Sequence, residues 1–181
     1  FAEEVQDDWW KLLIATCLLN KTSGNVAIPV FRTLISRWPN PSLMLLASPG
    51  QMENLLKPLG LRKRAHVITK LSAYFLLSPP SPSQLHPTKI PKHPGYPETP
   101  ISHLPGVGKY ALDSFRIFCC EGDEWKNVLP EDKRLAEYLE WRWAAWEGKR
   151  WHPRYGVLGG LPEDYFDKEP KTSSISQQNC S

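Results

Sequence analysis

The chain has 181 residues, a formal charge of +3, 41% apolar and 23% charged residues, and a mass of 20.7 kDa. That composition excludes wholesale disorder and suits one domain with a real core. The longest apolar runs fall short of the roughly 18 residues a membrane span needs, and no basic-then-apolar leader opens the sequence, so neither a membrane span nor a secretory route is expected.

The pattern reads as helical throughout. Trp9 to Leu19 is apolar nearly all round and predicts a buried central helix, with Asp7 and Asp8 placed to cap it. Asn20–Gly24 breaks the pattern, and a second helix is expected from Val26 to Trp38, with Pro29 tolerable only near its first turn. Two short helices suit Ser42–Ala47 and Gln51–Lys57, the latter stopped by Pro58 and Gly60. Arg62 to Leu77 repeats apolar residues at helical spacing, with Val67, Leu71, Tyr74 and Leu77 as the predicted buried stripe. Residues 79–100 hold eight of the eighteen prolines and read as an extended surface insertion. A helix is predicted from Lys109 to about Cys119, and a last one from near Pro130 with Leu135, Leu139, Trp143 and Trp146 on one stripe. From about Gly148 periodicity is lost, and 148–181 is expected to be an irregular tail. No stretch alternates with period two. The expected fold is all-α: one compact domain over 1–147 carrying the proline-rich insertion.

Charge is unevenly spread. Residues 61–116 carry eight basic and two acidic residues, net +6, between a neutral first third and a last third at net −3. A polyanion partner would explain that local surplus, and so would an ordinary solvated helix face. Cys17, Cys119, Cys120 and Cys180 show no paired spacing, so a zinc site, an iron–sulfur cluster or a disulfide framework is not expected.

Two motifs carry chemistry. In Leu104-Pro105-Gly106-Val107-Gly108-Lys109-Tyr110, two glycines allow a tight turn whose N–H groups can meet an anion at a helix N-terminus. The same letters approximate a dinucleotide fingerprint, but that fingerprint must follow a β-strand, and Pro-Glu-Thr-Pro-Ile-Ser-His stands there instead. About two dozen residues later, Pro130-Glu131-Asp132 opens the last helix and puts Asp132 in its first turn, where the helix dipole favours a carboxylate. Glycines for close helix packing and a routine first-turn acid are the plainer readings of each motif alone.

Together these motifs resemble the helix-hairpin-helix superfamily of base-excision DNA glycosylases. The blocks LLIATCLLNKTSG (12–24), AIPV (27–30), LLKPLGL (55–61), DSFRIFC (113–119) and EWKNVLPED (124–132) are similar to one branch. That branch is the mismatch-specific thymine/uracil glycosylase that in vertebrates is fused to a methyl-CpG-binding domain. The similarity covers roughly 9–78 and 101–147, and omits the insertion and the tail.

The resemblance implies a helix-hairpin-helix glycosylase fold with its active site in a cleft. The implied reaction is monofunctional hydrolysis of the N-glycosidic bond of thymine or uracil opposite guanine, after the base is flipped from the duplex. Asp132 matches the catalytic carboxylate, and Tyr110 and Arg134 match base-pocket positions. Where strand-cutting relatives carry a nucleophilic lysine this chain has Tyr110, which cannot form a Schiff base, so no lyase activity is implied. Lys109 is one position earlier, about 100° round the helix. Gly106, Val107, Gly108 and Lys109 match the phosphate-gripping hairpin, with a monovalent cation as an optional accessory and no other cofactor. Lys21, Thr22 and Ser23 match the loop that enters the space left by the flipped nucleotide, with lysine where relatives often have arginine. Leu59, Gly60 and Leu61 match the loop that wedges against the unpaired guanine, and Arg62, Lys63 and Arg64 follow as candidate phosphate contacts. The implied partner is double-stranded DNA with a mismatched or damaged base, met by a nuclear monomer.

Relatives carry a base-contacting glutamine upstream of the first helix. The nearest here is Gln6, close to Trp9, so the choice among thymine, uracil and modified pyrimidines stays open. Two other readings remain: a non-catalytic hairpin DNA-binding module, and a superfamily glycosylase acting on another base.

Overall fold

In the computed structural model, which describes residues 1, 4–88, 90, 92–162 and 164–168, the apolar run at 9–19 forms helix α1 (Trp9–Leu19). Asp8 caps it, its Oδ1 accepting from Lys11 N–H at 3.0 Å. Eight of its residues are buried, as an element wrapped by α2, α5 and α6 must be. The polar groups it buries are satisfied locally: Trp10 Nε1–H donates to Ser72 Oγ at 3.1 Å, and Ser72 Oγ donates to the Ile68 carbonyl at 2.9 Å.

Helix α2 (Gly24–Arg37) begins two residues earlier than expected, so Pro29 lies inside it rather than at its start. Pro29 and Asn25 are both exposed, and water can bond the Asn25 carbonyl that Pro29 has no N–H to reach. Helix α3 (Pro41–Met44) is capped by Asn40, and α4 (Pro49–Leu56) by a reciprocal Ser48/Gln51 capping box. A 3₁₀ turn over Lys57–Leu59 then ends at Gly60, whose φ of +68° is left-handed.

Helix α5 (Arg64–Leu77) buries Ala65, Ile68, Leu71 and Ser72. The stripe expected from the sequence is corrected here: Leu71 is inside, Val67 is half-buried, and Tyr74 and Leu77 are 43% and 79% exposed. Ala65 and Ser72 are buried because they are small, and Ser72 meets α1 through its bond with Trp10.

Among the described residues of 79–100 none is helical. The outer part is exposed, and one isolated antiparallel bridge joins His86 to Thr99. The return limb departs from a pure surface excursion: Tyr96 is half-buried, and Thr99 and Pro100 are buried. Helix α6 (Lys109–Phe118) follows and buries Ala111 through Ile117, with Phe115 edge-on to Trp9 at 4.8 Å. A 3₁₀ turn over Glu124–Asn127 completes this unit, which spans Phe1–Pro130. Burial pushes the thiols of Cys17 and Cys120 up to about 11 and that of Cys119 to about 12, as befits cysteines acting as apolar filler. Cys180 lies outside the described residues.

A second compact unit begins at Glu131. Its helix α7 (Lys133–Glu147) starts three residues later than Pro130 suggested, which makes Asp132 the N-cap instead of a first-turn residue. Leu135, Leu139 and Trp143 are buried as predicted, joined by Ala144. Trp146 is not: it is 61% exposed, and the Arg142 guanidinium lies 4.2 Å from its ring centroid. Gly148 ends the helix at φ +62°. The stretch after it is ordered where an irregular tail was expected. Strand β1 (Lys149–His152) pairs antiparallel with β2 (Gly156–Gly160) and packs on α7, and Trp151 is buried. Four residues with one inward tryptophan, facing a strand with three glycines, are too few to display period two. A short helix α8 (Tyr165–Lys168) follows. Among the described residues, helical ones outnumber strand residues in both units. Among the described residues no helix is long and apolar enough to cross a membrane, and no cluster of His, Cys, Asp and Glu could hold a metal ion.

Two substitutions on α5 test its orientation by chemical denaturation. Ile68→Ala should lower unfolding free energy by about 2–5 kcal/mol. Leu77→Ala should stay within about 0.5 kcal/mol, and the reverse ranking would mean the helix is turned the other way.

Candidate functional site

The hairpin is shaped by what its glycines must avoid. Gly106 has φ +81°, and a Cβ built on it would lie 2.5 Å from Val67 Cγ1 of α5. Both facts require glycine: the first through backbone strain, the second because the loop is pressed onto α5. Gly108 serves differently. A Cβ there would meet nothing within 4 Å, so the missing side chain leaves the outer face of the loop bare. Gly108 N-caps α6 without a side-chain acceptor, so the open helix start suits an outside anion. Leu104 anchors the loop from below at 3% exposure, with its N–H on the Ile101 carbonyl at 3.1 Å.

Two further loops are brought to the same helix. The turn after α1 places Lys21 exposed at φ +64°, the one described non-glycine residue in the left-handed region. Thr22 N–H donates to the Leu19 carbonyl at 3.0 Å, and Ser23 stands exposed at the start of α2 without a side-chain capping bond. The turn before α5 presents Gly60 exposed between Leu59 and Leu61, both half-buried against the core, with Arg62 and Lys63 exposed beyond.

Arg64 joins these two loops. Its guanidinium donates to the Cys17 carbonyl and, at 3.1 Å, to the Asn20 carbonyl, closing the C-terminal end of α1. A cation there meets orphan carbonyls and the negative end of the helix dipole. From sequence Arg64 is one of three candidate phosphate contacts, and nothing local distinguishes it from Arg62 or Lys63.

Lys109 also turns inward. Its Nζ donates to Asp113 Oδ2 at 2.7 Å and to the Leu129 carbonyl at 2.8 Å. Asp113, 1% exposed, receives Tyr96 Oη–H on its other oxygen at 2.8 Å. Burial raises the Asp113 carboxyl above its ordinary range, against the opposing pull of Lys109. The i,i+4 spacing of Lys109 and Asp113 is visible in the sequence; the partnership with Tyr96 is not. Tyr110, the second residue of α6, is half-buried, and its carbonyl accepts from Ser114 Oγ at 2.8 Å. Gln6 is exposed, and its carbonyl accepts from Cys119 Sγ at 3.2 Å.

In the second unit, Asp132 is half-buried, with Oδ1 accepting from Arg134 N–H at 2.9 Å and Leu135 N–H at 3.1 Å. Those bonds fix the carboxylate's orientation and leave Oδ2 outside the cap. The Arg134 side chain is 86% exposed and pairs with Glu137 at 2.9 Å.

Gly106→Ala should cost at least about 1–3 kcal/mol of stability through backbone strain alone. In a Val67→Ala background the cost should shrink without vanishing. Equal costs in the two backgrounds, read by a double-mutant cycle, would contradict the loop-on-helix contact.

No family model matches the chain. Among curated proteins it is 34% identical over 140 residues to a methyl-CpG-binding domain protein 4-like protein of Arabidopsis thaliana, a match covering 75% of this chain and 27% of that protein. It is 26% identical over 118 residues to a thymine-DNA glycosylase of Aeropyrum pernix, covering 65% and 48%. A thymine/uracil-DNA glycosylase of Pyrobaculum aerophilum is 28% identical over 114 residues, covering 62% and 45%. The chain thus spans between a quarter and a half of the length of these relatives. With a helical fold, a glycine hairpin leading into α6 and an aspartate capping α7, the chain matches the glycosylase domain of the methyl-CpG-binding domain protein 4 type.

Proposed function

We propose that this chain is a monofunctional DNA glycosylase of base excision repair, working in the nucleus as a monomer, which removes thymine or uracil mispaired with guanine. The observation that carries the reading is the Asp132 carboxylate, fixed by two backbone N–H groups at a helix start, in a chain whose hairpin ends bare of side chains at Gly108.

The hairpin N–H groups grip a phosphate, with a monovalent cation as accessory and neither another metal nor an iron–sulfur cluster in the reaction. Leu59, Gly60 and Leu61 wedge into the kinked duplex, Lys21 with Thr22 and Ser23 fills the space of the extruded nucleotide, and Arg62 and Lys63 add phosphate contacts. A mispaired base costs less to extract, which supplies part of the selectivity. Tyr110 and Arg134 contact the flipped base. As the N-glycosidic bond breaks, its electron pair leaves with the base and the sugar gains oxocarbenium character. Asp132 stabilises that charge and orients the water whose oxygen bonds to C1′, while the water's proton passes by way of the carboxylate to solvent or the departing base. The products are a free base and an abasic site. Lys109 supports the absence of lyase chemistry, because an ammonium bound to Asp113 and the Leu129 carbonyl is a poor nucleophile.

Asp132→Asn separates chemistry from structure. Asparagine caps a helix about as well as aspartate, so stability should change by less than about 1 kcal/mol. Single-turnover release from a G:T or G:U duplex should fall by at least about 10²–10³-fold, with mismatch affinity within a few fold. Activity within tenfold of the parent would remove Asp132 from the mechanism. Borohydride trapping on abasic DNA should yield no covalent adduct, and a stable adduct would refute the monofunctional assignment.

A further inference from the structure

We infer that Lys109 is a positioning residue and not a phosphate ligand: with Asp113 and Tyr96 it forms a strut that ties the hairpin to the Leu129 carbonyl and holds the chain segment leading to Asp132. The inference rests on the glycosylase reading for its catalytic consequence, and on geometry alone for its structural part.

Every polar atom of this strut is spoken for. Asp113 gives Oδ2 to Lys109 at 2.7 Å and Oδ1 to the Tyr96 hydroxyl at 2.8 Å. Lys109 Nζ reaches on to the Leu129 carbonyl at 2.8 Å, and its side chain is only 16% exposed. The Tyr96 ring is flanked by two cations, Lys109 Nζ at 5.7 Å and the Arg116 guanidinium at 5.6 Å from its centroid. Arg116 is in turn held by Glu124 at 3.0 Å. Turning Lys109 outward to a phosphate would leave the buried Asp113 carboxylate without its ion-pair partner, with the Tyr96 hydroxyl as its remaining hydrogen bond, at a greater cost than one solvated phosphate contact returns.

The strut ends where the chain becomes stiff. Leu129 precedes Pro130, which fixes its own φ and confines Leu129 to extended conformations. Only Pro130 and Glu131 separate the anchored carbonyl residue from Asp132. Anchoring Leu129 therefore restricts the backbone of the first unit up to Pro130. Tyr96 belongs to the proline-rich stretch, so that stretch has a structural role in delivering the hydroxyl that sets the Asp113 carboxylate.

The experiment compares Lys109→Met, Tyr96→Phe and the charge-neutral pair Lys109→Met/Asp113→Asn with the parent chain on duplex DNA. The double variant keeps the test open if a lone buried carboxylate unfolds the first. A strut predicts an unchanged dependence of log affinity on log salt, Kd within about twofold, faster amide exchange across 131–135, and single-turnover base release at least tenfold slower. For Tyr96→Phe the slowing should be about threefold to tenfold. A phosphate ligand predicts that removing the lysine lowers the salt slope by about 0.9. That drop, or unaltered exchange at the cap, overturns the inference. If the parent chain releases no base, the glycosylase reading fails by itself, and the salt slope and exchange still decide whether Lys109 is a strut.

Discussion

The arrangement of the first unit depends on the opening turns of α5. Arg64 closes the end of α1 by donating to the Cys17 and Asn20 carbonyls, and one turn later Val67 fills the space that Gly106 leaves empty. A hydrogen bond from a charged donor contributes about 1.5–3 kcal/mol, enough to hold the short Asn20–Ser23 turn against its own strain. That turn stores a left-handed lysine, a conformation that persists only where neighbouring structure over-determines it. One helix start thus sets the Lys21 loop, the Gly60 loop and the glycine hairpin in a fixed relation, and each of these is a surface the glycosylase reading assigns to DNA.

This division of labour refines what the charge surplus means. The net +6 over residues 61–116 is not simply an outward-facing field. Arg64, Lys109 and Arg116 direct their charge inside, to carbonyls, to Asp113 and to Glu124. Arg62 and Lys63 remain exposed beside the Gly60 turn, joined by Lys21 from outside the window. Buried cations fix geometry; under the glycosylase reading the exposed ones meet the polyanion, and only that second group should then appear in a salt dependence. The basic stretch is part scaffold and, under that reading, part interface.

Much of this is legible in the sequence because it is local. The hairpin, an aspartate at the start of the last long helix and the all-round apolar α1 are written in short runs whose physics does not need the rest of the molecule. Asp132, expected in the first turn of α7, is the N-cap, because Pro130 and Glu131 lie before the helix instead of opening it. The buried face of α5 differs from the expected stripe because Ala65 and Ser72 are buried for their smallness, and the α7 stripe stops one residue short of the expected Trp146. The β1–β2 hairpin leaves no periodic signal, because its strands are too short and too rich in glycine to alternate. Arg64's grip on α1, 44 to 47 positions away in sequence, and Tyr96's bond to Asp113 across the hairpin are long-range choices that composition does not encode.

Breakage of an N-glycosidic bond at a mismatch, the reaction proposed for this chain, is open to direct measurement. Duplexes containing G:T, G:U and the matched pairs are incubated with the protein and then treated with hot alkali, which cuts only where a base has been lost. Strand scission is expected at the mismatched thymine and uracil, with little at the matched pairs and none before alkali. Intact strands across the whole panel, from a protein that nevertheless binds the DNA, would contradict the claim and leave a binding module in place of an enzyme.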